Sequence, residues 1–234
     1  MTEPTRRDFL KNLAAATGAV VLLPQVVACG SSSEPTPMPD PEPTGGGETT
    51  TTDPLALPRT KPSDWDAIAF NRARGNAGAI PDSYLESVNG PTGAPMHLGK
   101  HLPYLPNLDS GIVAVPGGAM ALMWGDADQG YARHPAAAAT EETPGHWYDW
   151  VRVRKATDGE AAEVESRFSG WPQVGEGEAA YLVADGGDVT ADGGKNTVYV
   201  VQLPPDVGPG DVVRVVGHCT LHGEYVDFLT VPGS

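Results

Sequence analysis

Residues 211–231, DVVRVVGHCTLHGEYVDFLTV, hold two runs of β-branched and aromatic residues, 211–216 and 224–231, on either side of a short polar segment. Runs of that composition, bounded by Gly and Asp, read as strands joined by a tight connection. The same pattern recurs upstream in GIVAV (111–115), AMALMW (119–124), HWYDWVRV (146–153), EAAYLVAD (178–185) and NTVYVVQL (196–203). Amphipathic helix periodicity is absent over any long window. Many short strands with Gly/Pro turns predict an all-β domain, an antiparallel sandwich or a partly open barrel. The segment 204–213, PPDVGPGDVV, reads as a loop feeding a strand. The acid-rich DGEAAEVESRFSG (158–170) reads as a short helix or a surface loop, and no internal repeat is visible.

The chain ahead of these strands has a different character. TRRDFLKN (5–12) sets Arg6 and Arg7 before a moderately apolar run, LAAATGAVVLLPQVVAC (13–29). Residues 1–28 therefore read as a twin-arginine export signal. The Val-Val-Ala-Cys ending resembles a lipoprotein lipobox, with Cys29 as the lipidation point. Residues 29–58 are rich in Pro, Gly, Thr and acids, with almost nothing to bury, and read as a disordered tether. A flexible tether of that length would hold a domain roughly 30 Å from a membrane surface. The expected location is a bacterial cell membrane, with the domain in the periplasm or at the cell surface. Gly30 does not look like an inner-membrane retention signal. Residues 59–234 make one domain, long enough for a proper core. The formal charge is −15, and that balance argues against a nucleic-acid partner.

With Cys29 committed to lipid, Cys219 has no disulfide partner in the chain. It lies in GHCTLHG, three residues before His222, a spacing with which a thiolate and an imidazole can grip one metal from a single turn. A structural zinc site would normally want a second cysteine pair, which this chain does not have. The other histidines are His97, His101, His134, His146 and His218.

Three motifs, in order, carry a family resemblance. GKHLPYL (99–105) resembles the Lys-His-x-Pro segment of superoxide reductases, the iron domain shared by desulfoferrodoxin and neelaredoxin. RHP (133–135) with GHWYDWVRV (145–153) resembles their His-Pro…His-Tyr-x-x-Trp segment, and HCTLHGEY (218–225) their closing Cys-Asn-x-His-Gly motif. The resemblance implies an immunoglobulin-like antiparallel β-sandwich. It implies one mononuclear non-haem iron per chain, Fe(2+)/Fe(3+), held by His101, His134, His146 and His222, with Cys219 as an axial thiolate opposite an open site. It further implies superoxide as substrate and Lys100 as the residue that attracts it; Arg133, next to His134, is placed to add to that field. No second cysteine-bound centre is available, so electrons must come from an external one-electron donor protein. Relatives often form homo-oligomers through this fold.

His97 and His218 match no family ligand. Trp147, Tyr148 and Trp150 read as strand packing, with His146 at the mouth. The sequence departs from the pattern at Gly99, where many relatives carry glutamate, and at Thr220, which replaces asparagine. The insertion at 135–145, PAAAATEETPG, is expected to loop out, and the stretch 156–192 is longer than the usual core. Two other functions remain open. Blue-copper electron carriers also have a Cys…His loop between sandwich strands, but they usually follow with an axial Met, absent after Cys219, and need two histidines. A non-catalytic metal-binding remnant of the family is the other.

Overall fold

The computed structural model describes residues 53–108, 115–172 and 179–233. Its framework is two antiparallel four-stranded sheets. One contains β1 (Pro103–Tyr104), β2 (Ala119–Trp124), β5 (Ala180–Val183) and β6 (Thr197–Gln202), in the order β1-β2-β6-β5. The other contains β3 (Tyr148–Lys155), β4 (Glu163–Arg167), β7 (Val212–Cys219) and β8 (Gly223–Thr230), in the order β4-β3-β7-β8. The expected sandwich is present. Most of GIVAV, residues 111–114, lies outside the described residues, as do the signal segment, Cys29 and the tether up to residue 52.

Alternation along the strands explains the layering. Val151 and Val153 of β3 and Val213 and Val215 of β7 point inward, with Met120, Leu122 and Trp124 of β2 and Tyr199 and Val201 of β6 in the same core. Each such side chain contributes about 1.5–3 kcal/mol on full burial. Cys219 ends β7 with no solvent exposure, at the end of this core.

Segment 158–170 contains no helix: residues 158–162 are a largely exposed loop, in line with one of the two readings, but Glu163–Arg167 is β4, paired antiparallel to β3. Its charges have partners across the sheet. Glu163 accepts from Arg214 Nη2 and Glu165 from Arg152 Nε, each at 2.6 Å. A strand whose outward face pairs with arginines has no apolar alternation to betray it.

Residues 66–101, ahead of β1, form short helical pieces on the second sheet. In α1 (Ala67–Arg74), the Asp66 carboxylate caps the first turn by accepting from the Ala69 N–H at 3.0 Å. Asn71, fully buried, turns its carboxamide to the free edge of β8. Its Nδ2 donates to the Val226 carbonyl and its Oδ1 accepts from the Val226 N–H, both at 2.7 Å. One side chain thus replaces a ladder partner and closes an edge that would otherwise invite pairing. In α2 (Asp82–Asn89), Tyr84, Leu85 and Val88 share one face and pack with Ile80, Leu98 and Tyr225.

Candidate metal centre

Four local devices bring five side chains to one end of the sandwich. His101 ends a 3-10 turn, Gly99–His101, whose carbonyl end is held by the Tyr148 hydroxyl donating to the His101 carbonyl at 3.2 Å. His134 follows the β2 loop and donates its N–H to the Trp124 carbonyl at 2.9 Å. That return needs Gly125, which has φ +79° and whose added Cβ would lie 2.0 Å from the Ala132 carbonyl oxygen. His146 precedes β3 and forms a two-bond bridge with Ala137, both bonds at 2.8 Å. Cys219 and His222 flank the β7–β8 turn, which the left-handed Gly223 closes (φ +81°).

Thr220 joins two of these devices. Its hydroxyl donates to the Gly145 carbonyl at 2.8 Å and accepts from the Trp147 N–H at 3.2 Å, tying the cysteine turn to the entrance of His146. A register shift between Tyr148 and Trp150 adds a bulge at Asp149, so Tyr148 stays in the core while the Asp149 carboxylate faces His218 Nδ1 at 2.5 Å.

The donor atoms of His101, His134, His146, Cys219 and His222 all lie within 4.8 Å of one another. His101 Nε2 and His222 Nδ1 are 3.0 Å apart, and the Cys219 sulfur is 3.5 Å from both His134 Nε2 and His222 Nδ1. The imidazoles form a closed circuit. Ring centroids are 4.8 Å apart for His101–His134, 4.4 Å for His134–His146, 4.8 Å for His146–His222 and 4.9 Å for His222–His101. The sulfur touches two rings that are not neighbours in that circuit, so one ion could be held by the sulfur and all four rings together. Two nitrogens at right angles on one ion, each about 2.1 Å away, would be about 3.0 Å apart. The donor set fits one metal ion, and five donors exceed the four of a closed tetrahedral site.

The surroundings agree. His101 Nδ1 is hydrogen-bonded to the His97 carbonyl, which leaves Nε2 for the cluster, and the Tyr225 ring stacks on the same imidazole at 4.3 Å. His146 Nε2 is buried with no hydrogen-bond partner among the described residues. An orphaned buried acceptor of that kind is costly unless something binds it.

Burial keeps all four imidazoles neutral. His101 and His134 are held well below the ordinary histidine value, by burial first and then by a neighbouring imidazole, His222 for the former and His101 for the latter. His146 falls to about 4 through burial and Lys100, and His222 to about 3 through burial and His146. Burial pushes the Cys219 thiol up to about 11, against the pull of the Leu221 and His222 N–H groups.

The structure brings together all five residues that the sequence motifs single out as ligands. Lys100, half-buried, lies beside them, and its charge lowers each of the four imidazoles and the thiol. Arg133 is engaged elsewhere, donating to Asn196 Oδ1 at 2.7 Å. His97 and His218 stand outside the donor set. His218 stacks on Trp150, while His97 supports His101 and pairs with the Tyr84 hydroxyl at 2.8 Å. Tyr84 is a neighbour that no motif announces; a lone tyrosine on a short helix carries no ligand spacing. The insertion loops out as expected, with residues 137–144 exposed.

These observations define a β-sandwich domain with a buried four-histidine, one-cysteine cluster that could hold a metal ion. No protein-family model matches the chain, and no curated protein or solved structure matches it either.

Proposed function

We propose that the domain is a superoxide reductase, reducing superoxide to hydrogen peroxide at one mononuclear iron held by His101, His134, His146, His222 and Cys219. The observation that carries this reading is the closed circuit of four neutral imidazoles with a thiol against two opposite members. Such a set favours a one-electron metal with a further position free for a small substrate. Reduction takes one electron and two protons per superoxide, and the iron, when bound, supplies the electron by passing from ferrous to ferric. An external one-electron donor protein restores it.

The chain's own residues have separate tasks. Cys219 gives up its proton to become a ligand and supplies negative charge to the centre. Lys100 provides a cation at the cluster of an otherwise acidic chain, raising the local concentration of an anionic substrate. His97 orients His101 through its carbonyl. Lipid attachment at Cys29 would place this chemistry at a bacterial membrane. Export in the folded state would let iron enter before copper, which binds nitrogen–sulfur sites more tightly.

The test is metal content and visible spectrum of the purified chain, followed by pulse-radiolysis kinetics with superoxide. About one iron per chain, a thiolate-to-iron band and rapid oxidation of the ferrous form are expected. Copper at that stoichiometry would support an electron carrier instead. Zinc, or iron inert to superoxide, would support a non-catalytic remnant.

A further inference from the structure

Tyr84 lies in the helical segment ahead of the sandwich, on α2, a helix that none of the metal-site motifs reaches. Its ring stacks on the His222 imidazole, with centroids 4.0 Å apart and planes 29° apart, and meets His101 edge-on at 6.0 Å. Its hydroxyl is hydrogen-bonded to His97 Nδ1 at 2.8 Å, and the carbonyl of His97 is the acceptor that orients His101. The Lys100 ammonium lies over the same ring, 5.8 Å from its centroid. No hydrogen bond or ion pair holds that ammonium among the described residues. One side chain therefore touches one donor, reaches a second through His97, and carries the cation.

We propose that Tyr84 is a positioning residue of the metal centre: its ring fixes the His222 imidazole and holds the Lys100 ammonium beside the cluster, while its hydroxyl braces His97. The physical need is plain for the lysine. Its four-carbon stem is flexible, the chain carries twice as many acids as lysines and arginines, 30 against 15, and a free ammonium would swing to a carboxylate. An aromatic face attracts the cation without neutralising it, so the charge remains available to an anion. The use made of that charge rests on the reductase reading; the positioning itself does not.

Labelling tests the positioning in the metal-free full chain. Reductive methylation, read by mass spectrometry at each lysine, is compared for wild type, Tyr84→Phe and Tyr84→Leu, with Lys155 as internal reference. Tyr84→Phe keeps the ring and should match wild type at Lys100. Tyr84→Leu should speed Lys100 labelling about threefold, the change expected from losing an exposed cation–π contact, while Lys155 is unchanged. Tyr84→Met serves where the leucine variant does not fold. Equal Lys100 rates in all variants, or parallel acceleration of Lys155, would overturn the proposal.

A second measurement uses the iron-loaded chain and the rate constant with superoxide at low ionic strength. Tyr84→Leu should lose less in a Lys100→Met background than in wild type, since the share of its loss that runs through the Lys100 cation is already gone. Independent, multiplying losses would overturn the link to Lys100. If the loaded wild type ignores superoxide, the reductase reading fails, and the labelling result still decides the role of Tyr84.

Discussion

A Cys219 thiol that keeps its proton up to about pH 11 must lose that proton to any ion it ligates. The imidazoles need lose none, with His146 held to about 4 and His222 to about 3. Metal binding between about pH 5 and 9 should thus release about one proton per ion, measurable by calorimetry in two buffers of different ionisation enthalpy. Cys219→Ser should abolish the thiolate-to-metal absorbance and weaken binding at least about 100-fold, more than the loss of an outer partner costs, with the sandwich still folded by circular dichroism. The five donors were legible in the sequence because each sits in a short motif whose order along the chain is informative. Tyr84 and His97 were not, because they act through stacking and a backbone carbonyl, neither of which requires a particular neighbour in sequence.

In the helical segment ahead of β1, Gly99 stands where packing leaves no room for a side chain. That glycine has ordinary helical φ and ψ, so backbone freedom is not the reason for it. A Cβ there would stand 2.1 Å from Cδ1 of Tyr131, whose ring occupies the space a side chain would need. Gly99→Glu should therefore destabilise the domain by about 1–3 kcal/mol, as overpacking does, and Tyr131→Ala should recover much of that loss in urea titrations of the double variant. On the same segment, Asn71→Ala would leave the Val226 N–H and carbonyl buried without partners at the β8 edge. The expected cost is about 2–4 kcal/mol in urea, from two unsatisfied groups. The central strands were readable because valines and aromatics alternate on a core face. β4 was not, since Glu163 and Glu165 are matched to arginines on β7 and β3, and pairing of that kind leaves no periodic trace in one segment.

For the metal-free molecule, the cluster sets opposing limits on stability against pH. A histidine whose value is lowered by folding binds protons more readily in the unfolded chain, so stability is present above about 6.5 and is lost as pH falls. His101, His134, His146 and His222 all shift in this direction, and the two with stated values place the loss between about 6.5 and 3. The thiol acts at the other end. Its raised value means the unfolded chain gives up the proton first, so stability present below about 9 declines as pH rises toward 11. The metal-free domain should be most stable between about pH 6.5 and 9, with melting temperature falling on both sides. A bound ion changes the two limbs differently. It holds Cys219 as thiolate, so the alkaline decline attributable to the thiol should vanish. Protons still compete for the imidazoles, so an acid limit should remain, steepened by release of the ion. Thermal melts across pH, with and without metal, should show the alkaline limb flattening on loading in wild type but not in Cys219→Ser. A flat alkaline limb in the metal-free wild type would mean that the thiol is not the buried, protonated group described here.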